Sequence, residues 1–346
     1  MRVPTILSPT RITELLASQY GIADVSGATE VLGSSTGHIW KIDTDSDKSY
    51  ILKEFAPTFS LEQVSHEPEL VMYLLKKGFP VSTYFPNRNG AYTWTLEDRP
   101  INLQSFLSGD APKQCEAPDW LLKDSVQLLA DIQVGLSDYP ALPSRMDDGW
   151  FSKRRENGRG ATKIGELLRL AEELPDFSSK ERIIQDLQWK LSKIEAANDI
   201  PLNPHEFTFG DTHGDFNVAN ILVNERKIVG VVDFTIACRL PLAWEVFRSY
   251  SLGSPECADA TIDLPGLARY FGWYQEKMTL SHYDLTMVGW LSYFNIVHSG
   301  FGYQEYLVDQ ADNRESILDY ASWLVKLAKW LEINADEMGR VLSAQR

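Results

Sequence analysis

The chain changes its periodicity once, near residue 98, and that change narrows the folds open to it. Before this point short apolar runs are separated by polar turns; after it most apolar patterns repeat at helical spacing. "ATEVLG", "HIWKIDT" and "YILKEF" read as strands, the last two joined as a hairpin through the polar turn "DSDKS". Two helices accompany them. Ile12, Leu15, Leu16 and Tyr20 recur behind Pro9 and Thr10 and stop at Gly21, and Glu67, Leu70, Val71, Leu74 and Leu75 recur before Gly78. "FPVSTYFP" is extended, and Asn89-Gly90 turns into "AYTWTLED", which reads as the last strand of this part.

Beyond it, "DWLLKDSVQLLADIQ" starts with an acid and keeps its apolar residues on one stripe. Helical patterns follow near 163–175 and 178–198, with Pro201 and Pro204 ending the second. A strand, a loop and a hairpin then interrupt at "EFTFGDTHGDFNVANILVNERKIVGVVDF", before a helical tail with its clearest stripe from Ile317 to Leu331. Asn334 and Glu337 resemble a capping box opening a last helix. The expectation is an α+β chain of two lobes. Residues 1–97 form a small antiparallel sheet with a helix, and residues 98–346 form a larger, mainly helical lobe. A chain of 346 residues is long enough for two cores.

Charge excludes some partners. The chain carries 48 acidic and 33 basic residues, a net charge of −15, which argues against nucleic acid or an anionic membrane as partner. The same balance is compatible with a cationic ligand, though acidity also serves solubility alone. Three widely spaced cysteines, Cys115, Cys238 and Cys257, give no disulfide framework or metal-ligand spacing and suit a reducing compartment. The opening "MRVPTILSPTR" is too short and proline-broken for a signal peptide, and no apolar run approaches a membrane span. A cytoplasmic protein is expected.

The interrupting segment carries the chemistry. "HGDFNVAN" sets Asp215 and Asn220 five residues apart, and Asp233 follows thirteen residues later at the end of "KIVGVVDF". A phosphoryl-transfer site needs a carboxylate near the attacking hydroxyl and oxygen ligands that hold magnesium against the nucleotide phosphates. The hairpin between Asn220 and Asp233 runs out and back, returning the two side by side. Singly, each residue also suits a turn, a left-handed position or a strand end. A metal site from His205, His213 and Asp215 is a rival reading, but it lacks a tight ligand pair at helical or hairpin spacing.

Order and spacing here resemble the catalytic loop and metal-binding aspartate of protein-kinase-like enzymes. The His-Gly-Asp beginning resembles the aminoglycoside phosphotransferase and choline kinase branch, which acts on small molecules. The resemblance implies a two-lobed protein-kinase-like fold and an ATP- and Mg2+-dependent transfer to a small-molecule hydroxyl. It makes Asp215 the base, Asn220 and Asp233 the metal ligands, and His213 a brace of the loop. Lys53 in "YILKEF" is then the lysine that meets the α- and β-phosphates. Glu67 is its partner, favoured over Glu69 by its distance from "GFPV". Ser34, Ser35 and Thr36, between Gly33 and Gly37, can contact phosphate, although an ordinary hairpin turn fits that composition as well. The adenine is expected near Thr95, Leu96 and Glu97. Glu245 stands where many relatives carry an aspartate supporting the loop, with Arg248 as its expected partner.

The acceptor stays open. Aminoglycosides, amino sugars, choline-like amino alcohols and homoserine-like alcohols are the candidates, and a cationic acceptor is compatible with the charge. Trp244, Trp273, Trp290, Tyr293, Asn295, His298, Tyr303, Glu305 and Asp309 lie in the tail that would supply its site, yet aromatics at helical spacing also suit a core. The polar stretch "SRMDDGWFSKRRENGRGATK" reads as a solvated loop, with a lid over the acceptor as the sharper alternative. The alternative of another class is a catalytically inactive kinase-fold binding or structural protein of the spore-coat kind.

Overall fold

The Ser8 hydroxyl accepts from the Arg11 amide and Pro9 fills a first position that needs no N–H donor, so a helix starts there. This helix, α1 (Pro9–Leu15), runs into one π turn (Leu16–Tyr20) and stops at Gly21, whose φ of 72° favours glycine. The computed structural model describes residues 4–31, 37–156, 158–311 and 313–344. By contacts the chain forms two compact units, Arg2–Ala111 with Asn220–Ile236 and Pro112–Ala219 with Ala237–Arg346.

The first unit is built on β1 (Val25–Val31), β2 (Gly37–Thr44), β3 (Ser49–Phe55), β4 (Tyr84–Phe85), β5 (Thr93–Leu96) and β6 (Arg99–Ser105). They form one antiparallel sheet in the order β1-β2-β3-β6-β4, with β5 also paired to β6. Alternation gives the sheet two faces. Trp40, Leu52 and Leu103 face α1 and join Ile12, Leu15 and Leu16 in one apolar cluster. Lys53, one residue on from Leu52, lies in register with Asn102 on the opposite face. That face meets α2 (Leu61–Lys76), which Ser60 and Gln63 start with a reciprocal capping box. Arg99 pins the N-terminal segment, pairing with buried Glu54 at 2.6 Å and donating to the Pro4 carbonyl at 2.7 Å.

Strand β6 is not announced by the sequence. "RPINLQS" opens with a charge and a proline and shows no clean alternation, because all its residues but Ser105 are buried between β3 on one side and β4 and β5 on the other. Pro100 is tolerated near the strand start, opposite Thr95. The turn at Gly90 forms (φ 85°), but the segments flanking it pair with β6 rather than with each other. Residue 97 therefore sits inside the β5–β6 hairpin, and the chain leaves the sheet after Ser105.

A second piece of chain completes this unit. The hairpin β8 (Ile221–Asn224) and β9 (Lys227–Val231) turns at Glu225, which takes a φ of 54°. Bridges Val81↔Val231 and Asp110↔Val223 tie it to the segments after α2 and β6.

The other unit holds α3 (Asp119–Gly135), α4 (Asp148–Arg155), α5 (Arg159–Glu173) and α6 (Lys180–Asn198), then β7 (Phe209–Thr212) paired with β10 (Cys238–Pro241). It closes with α7 (Leu242–Gly253), α8 (Leu264–Gln275), α9 (His282–Val297) and α10 (Arg314–Ser343). α10 is one uninterrupted helix, so the capping box expected at Asn334 does not form; the Asn334 amide instead donates back to the Trp330 carbonyl at 2.8 Å. The polar stretch read as a solvated loop also contains α4. Its Phe151 is buried and stacks on Phe294 with centroids 5.5 Å apart, while Arg155 donates to the Ile200 and Leu202 carbonyls. Among the described residues no helix is long and apolar enough to cross a membrane.

Candidate active site

Strand alternation aims Lys53 away from the α1 cluster and toward α2, where Glu67 projects from the buried stripe of the helix. Both are nearly inaccessible, at 7% and 1% exposure, and the ammonium lies 3.0 Å from Glu67 Oε1. A buried charge needs such a partner. Burial alone pushes the Lys53 ammonium toward neutrality, but Glu67 and then Asp233 outweigh it and hold it above the ordinary lysine value.

Asp233 reaches this place through the β8–β9 hairpin. The Val231 amide donates to the Pro80 carbonyl at 2.8 Å, anchoring the end of β9 just beyond α2. Two residues later Asp233 takes a φ of 65°, an uncommon conformation for a residue with a side chain, and its carboxylate comes to 4.0 Å from Lys53 Nζ. Asn220 is its neighbour through the Val232 amide, which donates to the Asn220 carbonyl at 3.0 Å. Asn220, Asp233, Lys53 and Glu67 all belong to one compact unit.

Two further residues join them without having been singled out in the sequence. The Thr235 hydroxyl lies 2.7 Å from Asp233 Oδ1 and 3.3 Å from Glu67 Oε2, bridging the two acids. Tyr84, fully buried on β4, shares a side-chain hydrogen bond with Glu67. Thr235 follows Asp233 closely and was open to inspection; Tyr84 carried no signal, since its role depends on the β4–β6 pairing.

The loop with Asp215 is held in the other unit by a buried polar chain. Tyr274 on α8 donates to Gln133 on α3 at 2.5 Å, and Gln133 donates to the Thr212 hydroxyl at 2.9 Å. Thr212 in turn donates to Glu245, whose other oxygen accepts from the Phe216 amide at 3.1 Å. Glu245 thus holds the loop on both sides of His213-Gly214-Asp215. It is fully buried, which raises its carboxyl above the ordinary value, while His213, Thr212, the Phe216 amide and Arg248 work against that rise.

His213 is also fully buried, and its Nδ1 accepts from the Asp215 amide at 3.2 Å. Asn217 Nδ2 donates to the Asp215 carbonyl and approaches Asp215 Oδ1 at 3.2 Å. Arg248 differs from expectation. Its direct ion pair goes to Asp215 Oδ1 at 2.5 Å, with Glu245 a weaker charge neighbour, because α7 presents both residues to the loop three positions apart.

Not every expected residue converges. Glu97 lies in the β5–β6 turn at φ 57°, about half exposed, ion-paired with Arg11 of α1 at 2.6 Å. It is not brought to Lys53: β6 follows it, so Thr95–Glu97 close a hairpin instead of leaving the sheet. Ser34, Ser35 and Thr36 fall outside the described residues. The imidazole of His205 pairs with Asp148 at 2.6 Å, and no group of three His, Cys, Asp or Glu residues suited to a metal occurs among the described residues. Several tail aromatics are structural: Trp244, Tyr293 and Tyr303 are buried, Tyr303 bonds Asp186, and Trp290 bonds Asp336.

The sequence itself matches a known family. The model of APH, the phosphotransferase enzyme family, matches residues 29–278. The chain belongs to that family. The APH match takes in Lys53, Glu67, the Asp215 loop and Asp233. Homoserine kinase of Rhodospirillum rubrum is 28% identical over 184 residues, 51% of this chain and 49% of that protein, so the match spans about half the length of that relative. Homoserine kinase of Caulobacter vibrioides is 22% identical over 237 residues, 67% of each chain. In fold the chain is similar to spectinomycin phosphotransferase in complex with ADP and spectinomycin, with a TM-score of 0.66 and 14% identity over 95% of this chain and 99% of that one. A microcompartment-associated aminopropanol kinase gives 0.59 and 16%, covering 95% and 98%. These likenesses show the protein-kinase-like α+β fold.

Proposed function

We propose that this APH-family protein is an ATP- and Mg2+-dependent phosphotransferase that moves the γ-phosphate to a hydroxyl of a small molecule. The observation that carries the reading is the buried Lys53, held between Glu67 and Asp233. A fixed cation beside an exposed carboxylate suits a nucleotide with its metal. Lys53 contacts the α- and β-phosphates, Glu67 orients it, and Tyr84 and Thr235 hold Glu67. The loop of Ser34, Ser35 and Thr36 is assigned to phosphate on its composition.

Asn220 and Asp233 offer hard oxygen donors, one amide and one carboxylate, with no thiolate or imidazole among them, and that donor set fits magnesium. When bound, the ion neutralises charge on the phosphates. Asp215 accepts a hydrogen bond from the acceptor hydroxyl and takes its proton as transfer proceeds. Because positioning and electrostatics dominate this chemistry, an ordinary carboxylate suffices. The buried chain from Tyr274 to Glu245 keeps the loop in one conformation before the acceptor arrives.

Homoserine-like alcohols head the acceptor candidates, on the names of the sequence relatives. Amino sugars, aminoglycosides and choline-like amino alcohols follow. Three buried free cysteines support a cytoplasmic setting. A coupled ADP-release screen over these acceptors, with Asp215→Asn as the blank, tests the reading. Turnover that survives in the blank removes Asp215 from its role. MgATP binding without turnover of any acceptor returns the chain to the inactive binding class.

A further inference from the structure

We infer that Arg248 is the positioning residue for Asp215: from α7 it clamps one carboxylate oxygen of the base and so orients the group that receives the acceptor proton. The inference rests on the phosphotransferase reading above. Asp215 sits on a loop that turns at Gly214 with a φ of 82°, and no helix or strand ladder orients its side chain. The backbone of that loop is held by Glu245 and His213, and separate side-chain contacts act on the carboxylate itself. Arg248 Nη1 at 2.5 Å and Asn217 Nδ2 at 3.2 Å converge on the same atom, Oδ1. The guanidinium charge and the Asn217 hydrogen bond act on one oxygen, and together they favour one orientation of the carboxylate plane.

The guanidinium is itself held in place. Its side chain is only 21% exposed, Tyr320 from α10 shares a side-chain hydrogen bond with it, and the Trp244 ring lies 5.9 Å away. Arginine suits the task because its planar group stays charged at any relevant pH and cannot compete with Asp215 for the proton. Glu245 and Arg248, three residues apart on one helix, therefore divide the work, one holding the loop backbone and the other the reacting side chain.

The test uses the full chain with MgATP and L-homoserine as probe acceptor, or water as acceptor where homoserine is not turned over. Misplacing a reacting group by about 1 Å can cost on the order of 100-fold in rate, so Arg248→Ala is expected to lower kcat by about that factor. KM for MgATP and for the acceptor should change little, since the interaction with Asp215 matters only in the proton transfer. Guanidinium ion at tens of millimolar should restore turnover to Arg248→Ala, while leaving Asp215→Asn inert. Arg248→Lys should fall between wild type and Arg248→Ala, and Tyr320→Phe should lose less than either. Full kcat in a folded Arg248→Ala protein overturns the proposal, as does a loss that guanidinium cannot rescue. Should Arg248→Ala fail to fold, Arg248→Lys and Tyr320→Phe decide: wild-type kcat in both overturns it, and a graded loss in kcat at constant KM supports it. A wild-type protein with no Asp215-dependent turnover overturns the phosphotransferase reading, and this inference with it.

Discussion

The Lys53–Glu67 pair gives the sharpest energetic prediction. Replacing Glu67 by Leu removes the carboxylate 3.0 Å from the ammonium and leaves Asp233, at 4.0 Å, as the remaining acid beside it. At an effective dielectric constant near 20, the lost attraction is about 5.5 kcal/mol, and the retained one about 4 kcal/mol. Relief of burying Glu67 offsets much of that loss. Removing one partner of a buried pair commonly costs about 3–5 kcal/mol, and the surviving Asp233 contact places this site near 2–3 kcal/mol. Lys53→Met/Glu67→Leu removes both charges and should be more stable than the sum of the single changes implies. The assay is urea unfolding of wild type, both single variants and the double variant at pH 7. A coupling of about 1.5–3 kcal/mol is expected. A coupling below about 0.5 kcal/mol, the value of an exposed pair, would refute the claim that the first unit holds a buried, organised Lys53.

Three other outcomes follow. Glu245→Ala leaves the Phe216 amide and the Thr212 hydroxyl without their acceptor, so unfolding by urea should show a loss of about 2–3 kcal/mol, and Glu245→Gln a smaller one. Burial lowers the Lys190 ammonium to about 7, against Asp186 and with Arg154. Between pH 7 and the ordinary lysine value only the unfolded chain keeps that proton, so wild-type stability should rise relative to Lys190→Met by up to about 1.4 kcal/mol per pH unit. Parallel curves from pH 7 to 8.5 would refute it. Asp233→Asn should raise the Mg2+ concentration needed for half-maximal turnover at least tenfold, on the order of one lost ligand, while an unchanged Mg2+ dependence would remove Asp233 from the metal.

Local patterns made much of this protein legible. Helical stripes, the hairpin between Asn220 and Asp233, and the strand bearing Lys53 all rest on interactions between residues close in sequence. Features set by distant packing were not visible. The strand β6 is buried on both faces and loses the alternation that marks a half-exposed strand, so the sheet's true end at Ser105 is not legible in the sequence. β10 is a four-residue partner for β7 that no periodicity announces. Tyr84 reaches Glu67 only through β4, and the contact of Arg248 with Asp215, rather than with Glu245 as expected, depends on how α7 packs. The Asn334 pattern misled for the opposite reason: a good local cap was overridden by the continuous packing of α10 against α9.

Asp215→Asn is the decisive variant for the proposed base. The substitution keeps the shape of the side chain and removes its ability to take a proton. ADP release with the best acceptor should fall by about 100- to 10,000-fold, the usual contribution of a general base, while MgATP affinity stays at the wild-type value. Full turnover in a folded Asp215→Asn protein would contradict the account.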